Sequence, residues 1–212
     1  MLSKLISSFI GHLKPDRVAE RSSRVLELPR PDRDGGEPLM KALARRHSER
    51  TFKKTPLPPQ VLSNLLWAAF GINRPETGDR TAPSALNAQE IDLYVALAEG
   101  LYIYNARAHA LGLVAEVDAR RVTGYQDFVD EAPLELIYVV DRAHTLAAAA
   151  DHEQIYAAVC SGAIAQNVYL YCASAGLSTV VRALFDRKAL GAALRLGKQE
   201  EVLLAQTVGY PS

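Results

Sequence analysis

The sequence predicts one α+β domain, with helices and strands around a single sheet and no regular strand–helix alternation of the doubly wound kind. Three observations lead there. The 212 residues, 49% hydrophobic and 23% charged, suit one domain with a sizeable core. Apolar runs of strand length (IDLYVAL, LYIY, LGLV, LELIYVV, VLLAQTV) are unevenly spaced rather than each followed by a helix. The longest helical stretch, about 151–175, falls in the middle of the order. No G-x-G-x-x-G follows a strand, and no Gly-rich loop ending in Lys-Ser/Thr is present, so neither type of nucleotide loop is supported.

Residues 1–37 read as an extension punctuated by Pro15, Pro29, Pro31, Gly35 and Gly36. Its start, MLSKLISSFIGHLKP, has one lysine and no long apolar core, which fits an amphipathic arm better than a signal peptide. The domain is expected over 38–212. Leu39, Ala42, Leu43 and Arg46 share one helix face. Pro58 and Pro59 open the next helix, with Val61, Leu62, Leu65, Leu66, Ala69 and Phe70 inward and Gly71 at its end. A donor-rich loop, GINRPETGDRTAPSALNAQ, leads into the strand IDLYVAL. LYIY and LGLV, joined through Asn105 to His109, read as a hairpin. A short helix is expected over 118–123. LELIYVV is a nearly unbroken apolar run and thus a buried strand. The Ala-rich helix of about 151–175 is apolar on most sides, which suits a domain centre or a dimer interface, and Gly176 ends it. STVV is a short strand. Asp186 caps a last helix with Ala189, Leu190, Ala193 and Leu194 inward, and VLLAQTV is the final strand.

Lys+Arg and Asp+Glu are both 24, so the basic excess of a nucleic-acid binder is missing. Cys160 and Cys172 stand too far apart along one helix to bridge, and the five histidines show no metal-ligand spacing. No run approaches the length of a membrane span. Arg46, His47, Ser48 and Arg50 then stand out. Two guanidiniums, an imidazole and a hydroxyl within five residues are matched to a phosphate. A cationic run at a helix end is more often a solvated face that favours the negative end of the helix dipole. Pro83, Ser84, Asn87 and Gln89 form a second polar cluster, able to meet the edge of a heteroaromatic ring or simply to make a turn.

Taken in order, these segments resemble the FMN-dependent nitroreductase family. The elements are Arg46-His47-Ser48-Glu49-Arg50, Leu57-Pro58-Pro59, Pro83-Ser84-Ala85-Leu86-Asn87-Ala88-Gln89, the stretch from Gly176-Leu177-Ser178-Thr179 to Phe185-Asp186, and Val208-Gly209-Tyr210-Pro211. The likeness spans residues 38–212. It is nearest the SagB/ThcOx-like branch, through Arg80-Thr81-Ala82-Pro83-Ser84, Gly100-Leu101-Tyr102-Ile103-Tyr104, His109, and Gly124-Tyr125-Gln126-Asp127-Phe128 before Ala132-Pro133.

The resemblance implies a nitroreductase-like fold. A central, mostly antiparallel sheet is flanked by helices, and the long central helix lies at a homodimer interface holding two FMN sites. It implies Arg46 and Ser48 on the FMN phosphate with His47 beside them, and Arg50 at the pyrimidine edge of the ring. Pro83, Ser84 and Asn87 would reach the flavin held mainly by the other subunit. Gln126 would touch the ring or ribityl chain, and the backbone of Val181, Arg182 and Ala183 would lie near flavin N5. No catalytic side chain is implied, because the flavin carries the hydride.

NAD(P)H is the implied reductant, a small electron-poor molecule the acceptor, and the cytoplasm the setting. Two other readings are a SagB/ThcOx-like azoline dehydrogenase and a non-catalytic flavin-binding protein. The chain departs from the family at Ala183, where glycine is common, and at Arg182, where a small or apolar residue is usual. That arginine is expected either to reach the substrate pocket or to face solvent. Basic residues beyond the last strand are missing, which leaves Arg74, Arg80 and Arg187 as candidate phosphate contacts.

Overall fold

The computed structural model describes residue 22 and residues 24–144 and 151–212. The amphipathic start of the arm lies outside the described residues. Seven strands form one sheet: β1 (Val25–Glu27), β4 (Ile91–Leu97), β5 (Gly100–Asn105), β6 (Ala110–Ala115), β7 (Leu134–Asp141), β8 (Ser178–Arg182) and β9 (Glu200–Gly209). Their order is β1-β6-β5-β4-β7-β9-β8, and every pairing is antiparallel. A two-stranded ribbon, β2 (Ile72–Arg74) with β3 (Asp79–Arg80), stands apart in the loop that the sequence left irregular.

Among the described residues the α-helices are α1 (Leu39–Arg45), α2 (Pro59–Phe70), α3 (Glu153–Ala175) and α4 (Arg187–Ala193). Helices α2 and α3 cover one face of the sheet, where Leu65, Leu66, Phe70, Ile164 and Val168 meet Leu93, Leu136 and Tyr138. Helix α4 covers the other, where Leu190 and Leu194 meet Ile137, Val139 and Ala205. Strand β7 is therefore buried on both faces along its whole length, which is why its sequence is mostly apolar without alternation, Glu135 and Asp141 apart. Each of these fully buried leucines contributes about 1.5–3 kcal/mol. Among the described residues no helix is long and apolar enough to cross a membrane.

Several expectations change. The arm supplies a strand: Val25–Glu27 pairs with Ala110–Gly112 at the sheet edge. All three of its residues are exposed, so no alternation marked it. In α1 only Ala42 is buried, while Leu39 and Leu43 are exposed. The helix expected over 118–123 is a single 3-10 turn, Arg120–Thr123. Leu190 in α4 and Leu194 at its C-cap are buried as the pattern requires and Ala193 is half-buried, but Ala189 is exposed. Helix α3 ends where expected. Gly176 adopts φ 69, a left-handed cap that a side chain would strain, and its N–H bonds the Cys172 carbonyl. Asp186 caps α4, accepting from the Lys188 and Ala189 amides.

Candidate functional site

The polar knot begins where α1 stops. Arg46 is the cap residue, in extended backbone, so the next residues leave the helix and run beside β8. The Glu49 amide donates to the Thr179 carbonyl at 3.0 Å. Glu49, unmarked by the sequence reading, clamps the turn: its carboxylate accepts the Arg50 and Thr51 amides and the Thr51 hydroxyl. Those donors hold its pKa below the ordinary value. His47 Nδ1–H donates back to the Arg45 carbonyl at 2.7 Å. Arg46 is half-buried, and Ser48 and Arg50 are exposed. Among the described residues neither Arg46 nor Arg50 pairs with a carboxylate.

Strand β8 is the outer strand of its end of the sheet, so among the described residues one of its edges has no neighbouring strand. In an antiparallel ladder, alternate residues turn their N–H and C=O groups to opposite edges. Thr179 and Val181 turn theirs outward, since the Thr179 carbonyl accepts Glu49 and the Val181 amide donates to Tyr169 Oη at 3.0 Å. Arg182, two residues on from Val180 and opposite Ala205, turns its amide toward β9. The next outward amide is that of Ala183, an exposed residue just past the strand's end. The three backbone positions expected near one atom are thus not equivalent.

Tyr169 joins the strand to the knot. It lies on α3, its hydroxyl is 2.8 Å from Ser48 Oγ, and the Arg46 guanidinium stands 5.3 Å over its ring. The sequence reading passed over it, because in the apolar run Val168-Tyr169-Leu170-Tyr171 nothing marks one tyrosine as the junction.

The Arg182 side chain goes neither to a substrate pocket nor to solvent. It is 7% exposed, forms a buried ion pair with Glu135, and donates to the Thr123 carbonyl at 2.6 Å and Thr207 Oγ1 at 2.9 Å. Thr207 in turn donates to Glu135 at 2.7 Å. Strand alternation explains the direction, for Val180 and Arg182 share the face opposite α3. The guanidinium also lies 5.7 Å from the Phe128 ring centre. Burial pushes the Glu135 carboxyl up to about 7, while Arg182 and Thr207 pull it down.

Gly124 fits over this network only because it lacks a side chain. A Cβ there would collide with Arg182 Nη1 and stand 2.6 Å from Gln126 Oε1. That Gln126 oxygen is buried and has no hydrogen-bond partner among the described residues.

The 83–89 loop is built separately. Ser84 Oγ accepts the Gln89 amide at 3.0 Å, Asn87 Nδ2 donates to Asp79 at 2.8 Å, and Gln89 Nε2 donates to the Gly78 carbonyl at 3.0 Å. Leu86, Asn87 and Gln89 all have φ between 52 and 56, so the arch is held in left-handed backbone that non-glycine residues seldom adopt. Pro83 is exposed at its start. The loop feeds β4, three strands from β8, or roughly 14 Å at the usual spacing. Of the three candidate phosphate arginines, Arg74 pairs with Asp79 and Arg187 lies over Phe185. Arg80 turns inward to Gln89 and the Phe70 carbonyl.

Comparison with known proteins agrees with this architecture. The model of the nitroreductase family matches residues 43–210. A nitroreductase-like protein of Methanocaldococcus jannaschii is 31% identical over 161 residues, covering 71% of this chain and 81% of its own. A nitroreductase-like crystal structure from Ralstonia eutropha superposes with a TM-score of 0.85 at 46% identity, over 90% of each chain. Two more distant structures share the fold. One is the Escherichia coli microcin synthetase complex, with a TM-score of 0.69 at 18% identity over 94% of this chain and 83% of that one. The other is the NADPH:FMN oxidoreductase of Vibrio harveyi, with a TM-score of 0.60 at 18% identity over 82% of this chain and 69% of that one. The family match runs from α1 through the knot, the arch and β8 to Tyr210, so the chain belongs to the nitroreductase family of oxidoreductases.

Proposed function

We propose that the protein is an FMN-dependent oxidoreductase that takes reducing equivalents from NAD(P)H and passes them to a small electron-poor acceptor, such as a nitroaromatic, a quinone or an activated alkene. The observation that carries this reading is the pair of guanidiniums, Arg46 and Arg50, which among the described residues have no carboxylate partner, in the turn beside the outward edge of β8. Cations left unpaired at a rigid strand edge fit an anionic ligand, and two guanidinium forks with the Ser48 hydroxyl fit a phosphate.

The other residues fit the rest of FMN. Arg50, freely exposed, would place a cation at the pyrimidine edge, where negative charge builds on reduction. Gln126 Oε1, buried without a partner among the described residues, would accept from the ring or ribityl chain. The backbone of Val181, Arg182 and Ala183 would lie along the flavin. Because the amides of Val181 and Arg182 are turned elsewhere, Ala183 would supply the N–H toward N5. Bound FMN supplies two-electron hydride chemistry that no side chain here offers. The chain's own part is to bind, orient and set the local charge. Tyr125 and Leu184, both large and exposed, would flank a flat acceptor.

The proposal includes a homodimer. Ile155 and Val159 are 60% and 63% exposed one turn apart on α3, and Leu39, Met40 and Leu43 are exposed on α1. Pro83, Ser84 and Asn87, three strands from β8, would then complete the site of the other subunit. The proposal keeps the SagB/ThcOx-like branch as the nearest one, on the resemblance of the motifs around Arg80–Ser84 and Gly124–Phe128. A cytoplasmic setting, where NAD(P)H is supplied, goes with the reading.

The test is the absorption spectrum of the purified protein, followed by anaerobic titration with NADH and NADPH. The expected result is a flavin spectrum that bleaches with one or both. A colourless protein that refuses added FMN refutes the flavin assignment. Flavin that neither nucleotide reduces refutes the NAD(P)H step and leaves a flavin-binding protein.

A further inference from the structure

Tyr169 stands between two parts of the proposed site that are far apart in sequence. Its hydroxyl accepts the Val181 N–H at 3.0 Å and lies 2.8 Å from Ser48 Oγ. The hydrogen inventory sets the direction of the second bond. A phenol has one hydrogen to give and lone pairs with which to accept. One lone pair is taken by Val181. The side chain is 7% exposed, so a phenolic hydrogen without an acceptor would carry its full desolvation cost. Among the described residues Ser48 Oγ is the acceptor within reach. Tyr169 therefore donates to Ser48, and the hydrogen of Ser48 is free to point away from α3. Arg46 and Arg50 flank Ser48 in the chain, and among the described residues neither guanidinium pairs with a carboxylate. The Arg46 guanidinium over the Tyr169 ring ties the arginine to the same support.

We propose that Tyr169 is a positioning residue for phosphate recognition: through its hydroxyl it makes Ser48 a hydrogen-bond donor to the ligand's phosphate and fastens the Arg46–Arg50 turn to the edge of β8. This rests on the FMN reading above. It differs from a structural role in one respect. A tyrosine that merely braces α3 against β8 acts on every ligand of the site alike, whereas a tyrosine that orients Ser48 acts on the phosphate. FMN and riboflavin share the ring and differ by that phosphate.

The experiment titrates the full-length protein, freed of flavin, with FMN and with riboflavin. The variants are wild type, Tyr169→Phe, Ser48→Ala and the double substitution. Loss of one donor to a charged group predicts that each single change raises the FMN Kd about tenfold. The riboflavin Kd moves less than about twofold, and the double variant is scarcely weaker than the single ones, because both act on one hydrogen bond. Equal losses for FMN and riboflavin in Tyr169→Phe overturn the proposal, and so do losses that multiply in the double variant. Should Tyr169→Phe fail to fold, Ser48→Ala decides alone. An unchanged ratio of FMN to riboflavin affinity there overturns it. A wild-type protein that binds neither ligand refutes the FMN reading itself. A wild type that binds FMN, with Tyr169→Phe unaltered, refutes only the role of Tyr169.

Discussion

Arg46 and Arg182 lie on either side of the same strand end and are treated in opposite ways. Arg182 is drawn into the sheet face away from α3, where Glu135, Thr123 and Thr207 meet its guanidinium. Arg46 rests on the Tyr169 ring with no carboxylate among the described residues. The difference comes from burial. A guanidinium that is 7% exposed must be paired, or its desolvation would unfold the region. A half-buried one keeps part of its hydration and can wait for a ligand. The paired arginine therefore belongs to folding, and on the proposed reading the unpaired one is left for a ligand, although the sequence shows only two arginines near two apolar segments.

The largest expected effect breaks the closed side. Arg182→Ala leaves the Glu135 carboxylate buried without its cation, which costs about 3–5 kcal/mol. Urea unfolding at pH 8 measures it. A loss below about 1 kcal/mol would mean that water reaches Glu135 and that the network is not closed. At pH 5 the cost should shrink, since an isolated Glu135 can take up a proton and become neutral.

The next effect concerns Glu135 in the intact protein. Its folded pKa, about 7, lies above the 4.5 of a free glutamate. A group with a raised folded pKa contributes stability fully below its unfolded value and loses it as the pH climbs through the folded one. Between pH 5.5 and 8 the wild type should lose about 2 kcal/mol that Glu135→Gln does not lose. The quantity to compare is the slope, since the substitution also shifts the level. Parallel pH profiles would show that Arg182 holds Glu135 ionised across the range, making the pair a permanent salt bridge.

What could be read in advance follows how local each feature is. The knot was legible because its groups fall within five residues. Strand β7 was legible because burial on both faces leaves an apolar run broken only by Glu135 up to Val140, and the end of α3 because Gly176 takes a conformation that favours glycine. The fate of Arg182 was not legible. Val180 and Val181 are both apolar, so alternation cannot say which face is which. The answer depends on Glu135, 47 residues away. Tyr169 was hidden for the same reason, since the rotation of α3 against β8 decides whether it or Tyr171 meets Ser48. Strand β1 escaped notice because an exposed three-residue edge carries no pattern.

The smallest expected effect on folding falls on the open side. Arg46→Ala should change stability by no more than about 1 kcal/mol, the worth of one partly exposed cation–π contact. Binding should respond far more. Losing a charge-assisted contact to phosphate is worth about 1.5–3 kcal/mol, so FMN should bind roughly ten- to a hundredfold more weakly. The wild-type affinity should also fall with added salt, and less steeply once Arg46 is gone, because one cation fewer is being screened. Thermal unfolding and FMN titration at two salt concentrations together place the residue. A large stability loss with an unchanged FMN affinity would make Arg46 a second structural arginine, and the contrast with Arg182 would collapse. Nearly unchanged folding with weakened, less salt-sensitive binding would keep the two arginines on opposite sides of the division between what the fold consumes and what it leaves for a ligand.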